Sequence, residues 1–192
     1  MVHHQLKQLI HSYHENNNTL TTVMQAVLYD IYENLDLDTV NCLSDLDFIH
    51  TSGDKLAKPN RLFLEIVHEI PGWLFKINSR LLEMSLINYL GINPACQPNT
   101  YIELFKMIHD RKVEMSKELL DQIITIVIPY LCDFNFDFHP KDLYLPDADG
   151  RMCPSSTLCY KDQDWLPEDE HVNFLHESIR PEFRSKSSES NR

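Results

Sequence analysis

The stretch Leu143-Tyr144-Leu145-Pro146-Asp147-Ala148-Asp149-Gly150-Arg151-Met152-Cys153-Pro154, continued by Leu158-Cys159-Tyr160-Lys161-Asp162-Gln163-Asp164-Trp165-Leu166, decides how the rest of the chain is read. Apolar residues lead into an acidic turn closed by Gly150. A short return, a proline and an aromatic residue follow. Glycine suits a backbone position with positive φ, and Asp147 and Asp149 can bond the amides of the turn. The pattern predicts a β-hairpin without reactive chemistry of its own.

Upstream, Phe48-Ile49-His50-Thr51-Ser52-Gly53-Asp54-Lys55-Leu56-Ala57-Lys58-Pro59 has the same order of parts: apolar strand, Gly turn, short strand, Pro. An apolar Leu62-Phe63-Leu64 follows. The Gly-to-Pro distance differs between the two stretches, so the internal repeat is weak. Its unit reads as helices followed by a hairpin, with a period near one hundred residues.

The helical parts are legible from their stripes. Val2, Leu6, Leu9, Ile10 and Tyr13 share one face, and Asn16-Asn17-Asn18-Thr19 breaks it. Asn18 or Thr19 is the expected cap of a second helix carrying Leu20, Val23, Met24, Val27, Leu28, Ile31 and Leu35. The two should form an αα-hairpin. Ile70-Pro71-Gly72-Trp73 punctuates the chain. A helix with Leu82, Leu86, Tyr89 and Leu90 then ends at Gly91, a plausible left-handed C′ residue. Asn93, Pro94 and Pro98 read as a loop, and Asn99 or Thr100 as the cap of a helix holding Tyr101, Ile102, Phe105 and Ile108. From Ser116 the apolar set Leu119, Leu120, Ile123, Ile124, Ile126, Val127, Ile128 and Leu131 covers more than one face, which predicts a helix in the middle of the core. Pro129 should kink or end it. After Pro167 the composition turns acidic, then polar.

These elements predict an α+β fold, mainly helical, with two small β-hairpins packed on helical layers. Residues 1–64 and 65–166 form two segments sharing one core, and 167–192 an acidic and polar tail, mobile beyond about 176. At 43% hydrophobic, 192 residues are enough to fill a real core. The formal net charge of −12 disfavours duplex nucleic acid or an anionic membrane as partner. No run of apolar residues is long enough for a transmembrane helix. The start Met1-Val2-His3-His4-Gln5 does not look like a signal peptide. Cys42, Cys96, Cys132, Cys153 and Cys159 are odd in number and scattered, which suits free thiols in a reducing compartment, and the cytoplasm is the expected address.

The candidate chemistry is thin. Asp142, Asp147 and Asp149 beside Gly150 lack the third oxygen ligand and closing Glu of a calcium loop. Glu65-Ile66-Val67-His68 has a di-iron spacing, with no second copy to complete it. His68-Glu69 opens like a zinc-protease motif, but Gly72 stands where the second His belongs. His11 and His14 lie on a solvated helix face. Cys153 and Cys159 are too far apart for a zinc knuckle or redox pair. No nucleophile elbow, phosphate loop or dinucleotide fingerprint occurs. Catalytic, cofactor and metal residues are therefore expected to be none. Trp73 and Trp165 read as large core anchors. With Phe174 they are also the candidate interaction residues, since exposed aromatics mark binding sites.

Two regions resemble the repeats of the sacsin family of co-chaperones. One is Leu90-Gly91-Ile92, a loop, then Thr100-Tyr101-Ile102-Glu103-Leu104-Phe105. It is similar to a family helix ending in Leu-Gly-Val or Val-Gly-Val before a capped helix. The other is Leu143 to Trp165, where the family shows a Leu-Pro-Asp turn, a Tyr-Asn-Asp step and a Trp. Here Tyr160-Lys161-Asp162 replaces the Asn-Asp step, and Asp164 stands where Pro commonly precedes the Trp. The family's Hsp90-like ATPase motifs do not occur. His139-Pro140-Lys141 replaces the J-domain His-Pro-Asp and reverses its charge. The chain thus resembles a detached piece of repeat. The resemblance implies a non-catalytic scaffold or interaction module with a role in protein folding and Hsp70-linked quality control. Its partners would be chaperones or client proteins, with no cofactor, nucleic acid or membrane. The alternative is an acidic protein-binding adaptor unrelated to chaperoning, recruiting a basic partner through its acidic surface or the 168–179 segment.

Overall fold

The stripe of Leu6, Leu9 and Tyr13 folds as helix α1 (Val2–Glu15), and that of Leu28, Ile31 and Tyr32 as α2 (Thr22–Glu33). The computed structural model describes residues 2–35, 43, 46–78, 84–133, 143–159 and 172–179, with the backbone only at 84–86. The fold is α+β, helices with small sheets, in two compact units that divide between Cys96 and Gln97. The expected boundary at 64/65 falls inside a strand, β3, described next. A strand shared by three-way pairing cannot be cut without exposing its backbone groups.

In unit 1 the expected αα-hairpin forms, but the cap of α2 is Thr21, whose hydroxyl accepts the Met24 amide at 3.2 Å. Asn17 and Asn18 instead take left-handed conformations (φ 52° and 54°) to turn the chain, which Asn tolerates well. Strands β1 (Ile49–His50) and β2 (Leu56–Ala57) form the first hairpin. A 3₁₀ turn, Pro59–Arg61, leads to β3 (Leu62–Glu65), which lies parallel to both β4 (Phe75–Lys76) and β5 (Asn93–Ala95). An isolated Thr51–Ile77 bridge fastens the two-stranded hairpin to the three-stranded parallel sheet β4-β3-β5. Residues 93–95, expected as loop, are its edge strand; Pro94 is tolerated because an edge strand need not donate on its outer side. Before β5, helix α3 (Met84–Tyr89) ends as expected at Gly91 (φ 66°). The Ile92 amide bonds Ile87 O and the Gly91 amide bonds Asn88 O, a Schellman closure.

In unit 2, helix α4 (Pro98–Asp110) is preceded by Gln97, not capped by Asn99 or Thr100, because Pro98 fits the first helical position where no donor is needed. Ser116 caps α5 (Lys117–Gln122). The chain then passes through a π-turn, Ile123–Val127, into α6 (Ile128–Asp133). Pro129 therefore does not end the helix. Its missing donor and its clash with the carbonyl four residues back fall against the widened turn, where the Ile128 amide reaches Ile123 O. The helix is buried on one side only: Ile123, Ile124, Val127, Ile128 and Leu131 face inward, while Ile126 is 41% exposed.

The second hairpin pairs β6 (Tyr144–Pro146) with β7 (Met152–Pro154). A 3₁₀ turn, Ser155–Thr157, leads to β8 (Leu158–Cys159), parallel to β9 (Asn173–Phe174). The described part of the expected tail is thus built into the sheet, and Ile179 is buried. Residues 134–142, 160–171 and 180–192, including Trp165, lie outside the described residues.

The two units carry the same bonds at corresponding places. Thr51 N–H donates to Lys55 O (2.9 Å), as Asp147 N–H does to Arg151 O (2.8 Å). Ser52 N–H meets Lys76 O (2.8 Å), as Ala148 N–H meets Phe174 O (2.7 Å). Asn78 N–H meets His50 O (3.0 Å), as His176 N–H meets Pro146 O (3.0 Å). Ile77 N–H meets Phe63 O (3.0 Å), as Leu175 N–H meets Cys159 O (2.9 Å). In each unit the first helix also reaches the return strand of the hairpin. Tyr13 Oη accepts the Leu56 amide at 3.2 Å, and His109 Nδ1 donates to Met152 O at 2.6 Å.

Candidate functional site

In unit 1 three polar side chains meet at the first hairpin. His50 is 2% exposed, at the end of β1. Its Nε2 lies 2.9 Å from Asp54 Oδ1, and its Nδ1 lies 3.2 Å from the Tyr29 hydroxyl on α2. In a neutral ring these contacts select the tautomer in which Nε2–H donates to the carboxylate and Nδ1 accepts from the phenol. Asp54 Oδ1 also accepts Gln25 Nε2–H at 3.3 Å. Beneath this chain, Tyr32 Oη donates to Phe48 O (2.7 Å) and accepts the His50 amide (2.9 Å). A Tyr–His–carboxylate chain can pass a proton, but the Tyr29 phenol is pushed up, first by burial and then by the Asp54 charge. Activating a phenol as nucleophile would require the opposite direction. The array as built ties α2 to the hairpin. Sequence reading missed it because Tyr29 and His50 lie far apart along the chain, and only the hairpin's geometry brings Asp54 round to His50.

In unit 2 the acidic turn is closed by one carboxylate rather than two. Asp147 is 5% exposed, and its Oδ1 accepts the amides of Asp149 (3.0 Å) and Arg151 (2.8 Å). The Asp149 side chain points outward and pairs with Arg151 at 3.2 Å on an exposed surface, a contact worth little. The Cys153 thiol donates to Asp147 Oδ2 at 3.6 Å and is half-buried. Burial, and then the Asp147 charge, raise the Cys153 thiol above its ordinary range, away from the reactive thiolate. Among the described residues no three His, Cys, Asp or Glu side chains gather as a metal site.

Gly150 has φ 79°, and a Cβ built there would come within 2.9 Å of Leu120 Cδ2. We expect Gly150→Ala to destabilise unit 2 by about 1–2 kcal/mol, from left-handed strain with a smaller cost for shifting the Leu120 tip. Urea unfolding followed by hydrogen exchange on 144–159 checks this; unchanged protection there would contradict it.

The expected interaction residues are not brought together. Trp73 is half-buried, not a deep anchor, with Arg61 stacked 5.6 Å from its ring and donating to Gly72 O at 3.1 Å. Phe174 is half-buried in β9, and Trp165 lies outside the described residues. Among the described residues the most exposed large apolar side chains are Val23 (74%) and Val67 (60%); Val27, at 43%, lies one turn along α2 from Val23, with exposed Asp30 and Glu33 beyond. Among the described residues no helix is long and apolar enough to cross a membrane. No family of known proteins, no curated protein and no solved structure matches this chain.

Proposed function

We propose that this chain is a non-catalytic protein-interaction module, a scaffold piece of the sacsin-like kind. Its role would be the one in protein folding and Hsp70-linked quality control that the resemblance implies. The observation that carries the interaction reading is one flank of α2. Val23 and Val27 stand exposed one helical turn apart, beside the face on which Leu28, Ile31 and Tyr32 fill the core. The apolar surface that this pair leaves in water is available to a partner. The polar groups of both hairpins support the same reading, since they are spent on turns and strand entries.

Purified chain titrated with an Hsp70 and with an unfolded client should give saturable binding. The Val23→Asp/Val27→Asp variant should weaken it about tenfold or more, since a buried charge without a partner costs upward of a kilocalorie. Its thermal midpoint should stay at the wild-type value. Equal binding by the variant, or a clear thermal shift of the protein with ATP, would count against the proposal. The net charge of −12, with Asp30 and Glu33 beside the valines, favours a second reading as an acidic adaptor. One basic protein captured in a salt-sensitive way, with no chaperone or client bound, would select it.

A further inference from the structure

In unit 1 the sheet is covered beyond β3 by the segment through α3 and β5. Ile87 and Ile92 are buried in the same cluster as Leu62 and Ile77. Strand β5 pairs with β3 at Phe63–Asn93 and Glu65–Ala95. In unit 2, β8 lies on β9 in the register of β3 on β4: Leu158–Asn173 and Cys159–Phe174 against Leu62–Phe75 and Phe63–Lys76. Cys159 O is taken by the Leu175 amide, so the polar groups of Cys159 face β9. Successive residues of a strand turn their backbone groups to opposite edges, so the Leu158 carbonyl faces the other edge. Among the described residues of unit 2 no strand lies there.

The side chains register the difference. Leu62 (0%), Phe63 (3%) and Ile77 (2%) are buried in unit 1. Leu158, Cys159 and Leu175 hold the same places in unit 2 and are only half-buried. Apolar side chains buried in unit 1 are thus only half-buried at the corresponding places in unit 2.

We propose that the outer edge of β8 is a docking slot for a helix–Gly–strand segment of a partner chain. The occupant has the chemistry of Met84–Ala95: an aliphatic residue from a short helix, a left-handed glycine, a β-branched aliphatic residue, then an extended Asn-Pro pair added parallel to β8. The Pro suits a newly added edge, because it leaves the outer side without a donor for further strands. This deepens the interaction reading above and rests on it, yet the two fail separately, since α2 takes no part in the slot.

The test adds a synthetic peptide of residues 84–97 to the intact chain and follows backbone hydrogen exchange. Expected is a saturable slowing at 158–159 and 172–175, with no change over Val23–Val27. The same peptide carrying Ile92→Asp should bind about tenfold more weakly or not at all, and Leu158→Asp in the protein should do likewise. The peptide variant keeps the result readable if Leu158→Asp fails to fold. Absence of saturable protection, protection confined to other segments, or undiminished binding of the Ile92→Asp peptide would each overturn the slot. So would exchange at 158–159 in the free chain as slow as at 62–63, which would mean that the edge is already covered.

Discussion

Tyr32→Phe should destabilise unit 1 by about 2–4 kcal/mol, because it removes one hydroxyl that serves two buried backbone groups at once. Phe48 O and the His50 amide are both held by Tyr32 Oη, at 2.7 and 2.9 Å, and both residues are within 2% of full burial. The phenyl ring keeps its volume, so the change opens no cavity. What remains is a carbonyl and an amide stranded at the entrance of the first hairpin. Tyr29→Phe is the natural comparison. Its bond to His50 is longer, 3.2 Å, and its ring is partly exposed, so about 0.5–1.5 kcal/mol is expected. Urea unfolding read by hydrogen exchange in 48–57 measures both. A Tyr32→Phe loss no larger than that of Tyr29→Phe would show that the buried pair is not what fixes the strand.

The same residue sets an alkaline limit. Burial holds the Tyr32 hydroxyl well above its ordinary value of 10, with the bond from the His50 amide pulling the other way. Burial also raises Tyr13 and Tyr29. A group whose folded value exceeds its unfolded one contributes stability that is complete below the unfolded value and drains away as pH rises beyond it. Unit 1 should therefore lose stability as pH climbs past 10, and Tyr32→Phe should flatten that fall.

Asp147→Ala should cost unit 2 about 2–4 kcal/mol, since the carboxylate closes the second hairpin with two amide bonds from a nearly buried position. Asp147→Asn keeps an acceptor oxygen and should restore roughly half of the loss. Both variants remove the charge that helps to raise Cys153. Its alkylation at fixed pH should therefore quicken in each, beyond what opening of the hairpin alone would give. If Asp147→Ala left both stability and thiol reactivity at wild-type values, the turn would owe its shape to Gly150 alone.

Helix positions were legible because their stripes are long; their ends were not. Each missed cap fell beside a stronger local device: a pair of left-handed asparagines before Thr21, and Pro98 at the first position of α4. The hairpins were legible through turn residues, yet their correspondence looked weak for a physical reason. Matching Gly53 with Gly150 sets the two stretches one residue out of step. In the fold it is Asp54, at φ 54°, that takes the conformation of Gly150 at φ 79°. The parallel pairings were illegible, because strands of two residues carry no period and parallel pairing joins segments separated by whole loops. The His50 array stayed hidden for the same reason. Asp147 was legible as a turn former, and its partner Asp149 only appeared to be one.

Asp54 occupies the tip where the second hairpin has a glycine, and its carboxylate is the one that holds the His50 ring. Backbone shape and side-chain anchoring at the first tip are thus vested in a single residue. A shift of the imidazole is felt directly by the bend, and a change in the bend by the imidazole. The second tip divides these duties between Gly150 and Asp147, so its curvature and its fastening can vary independently.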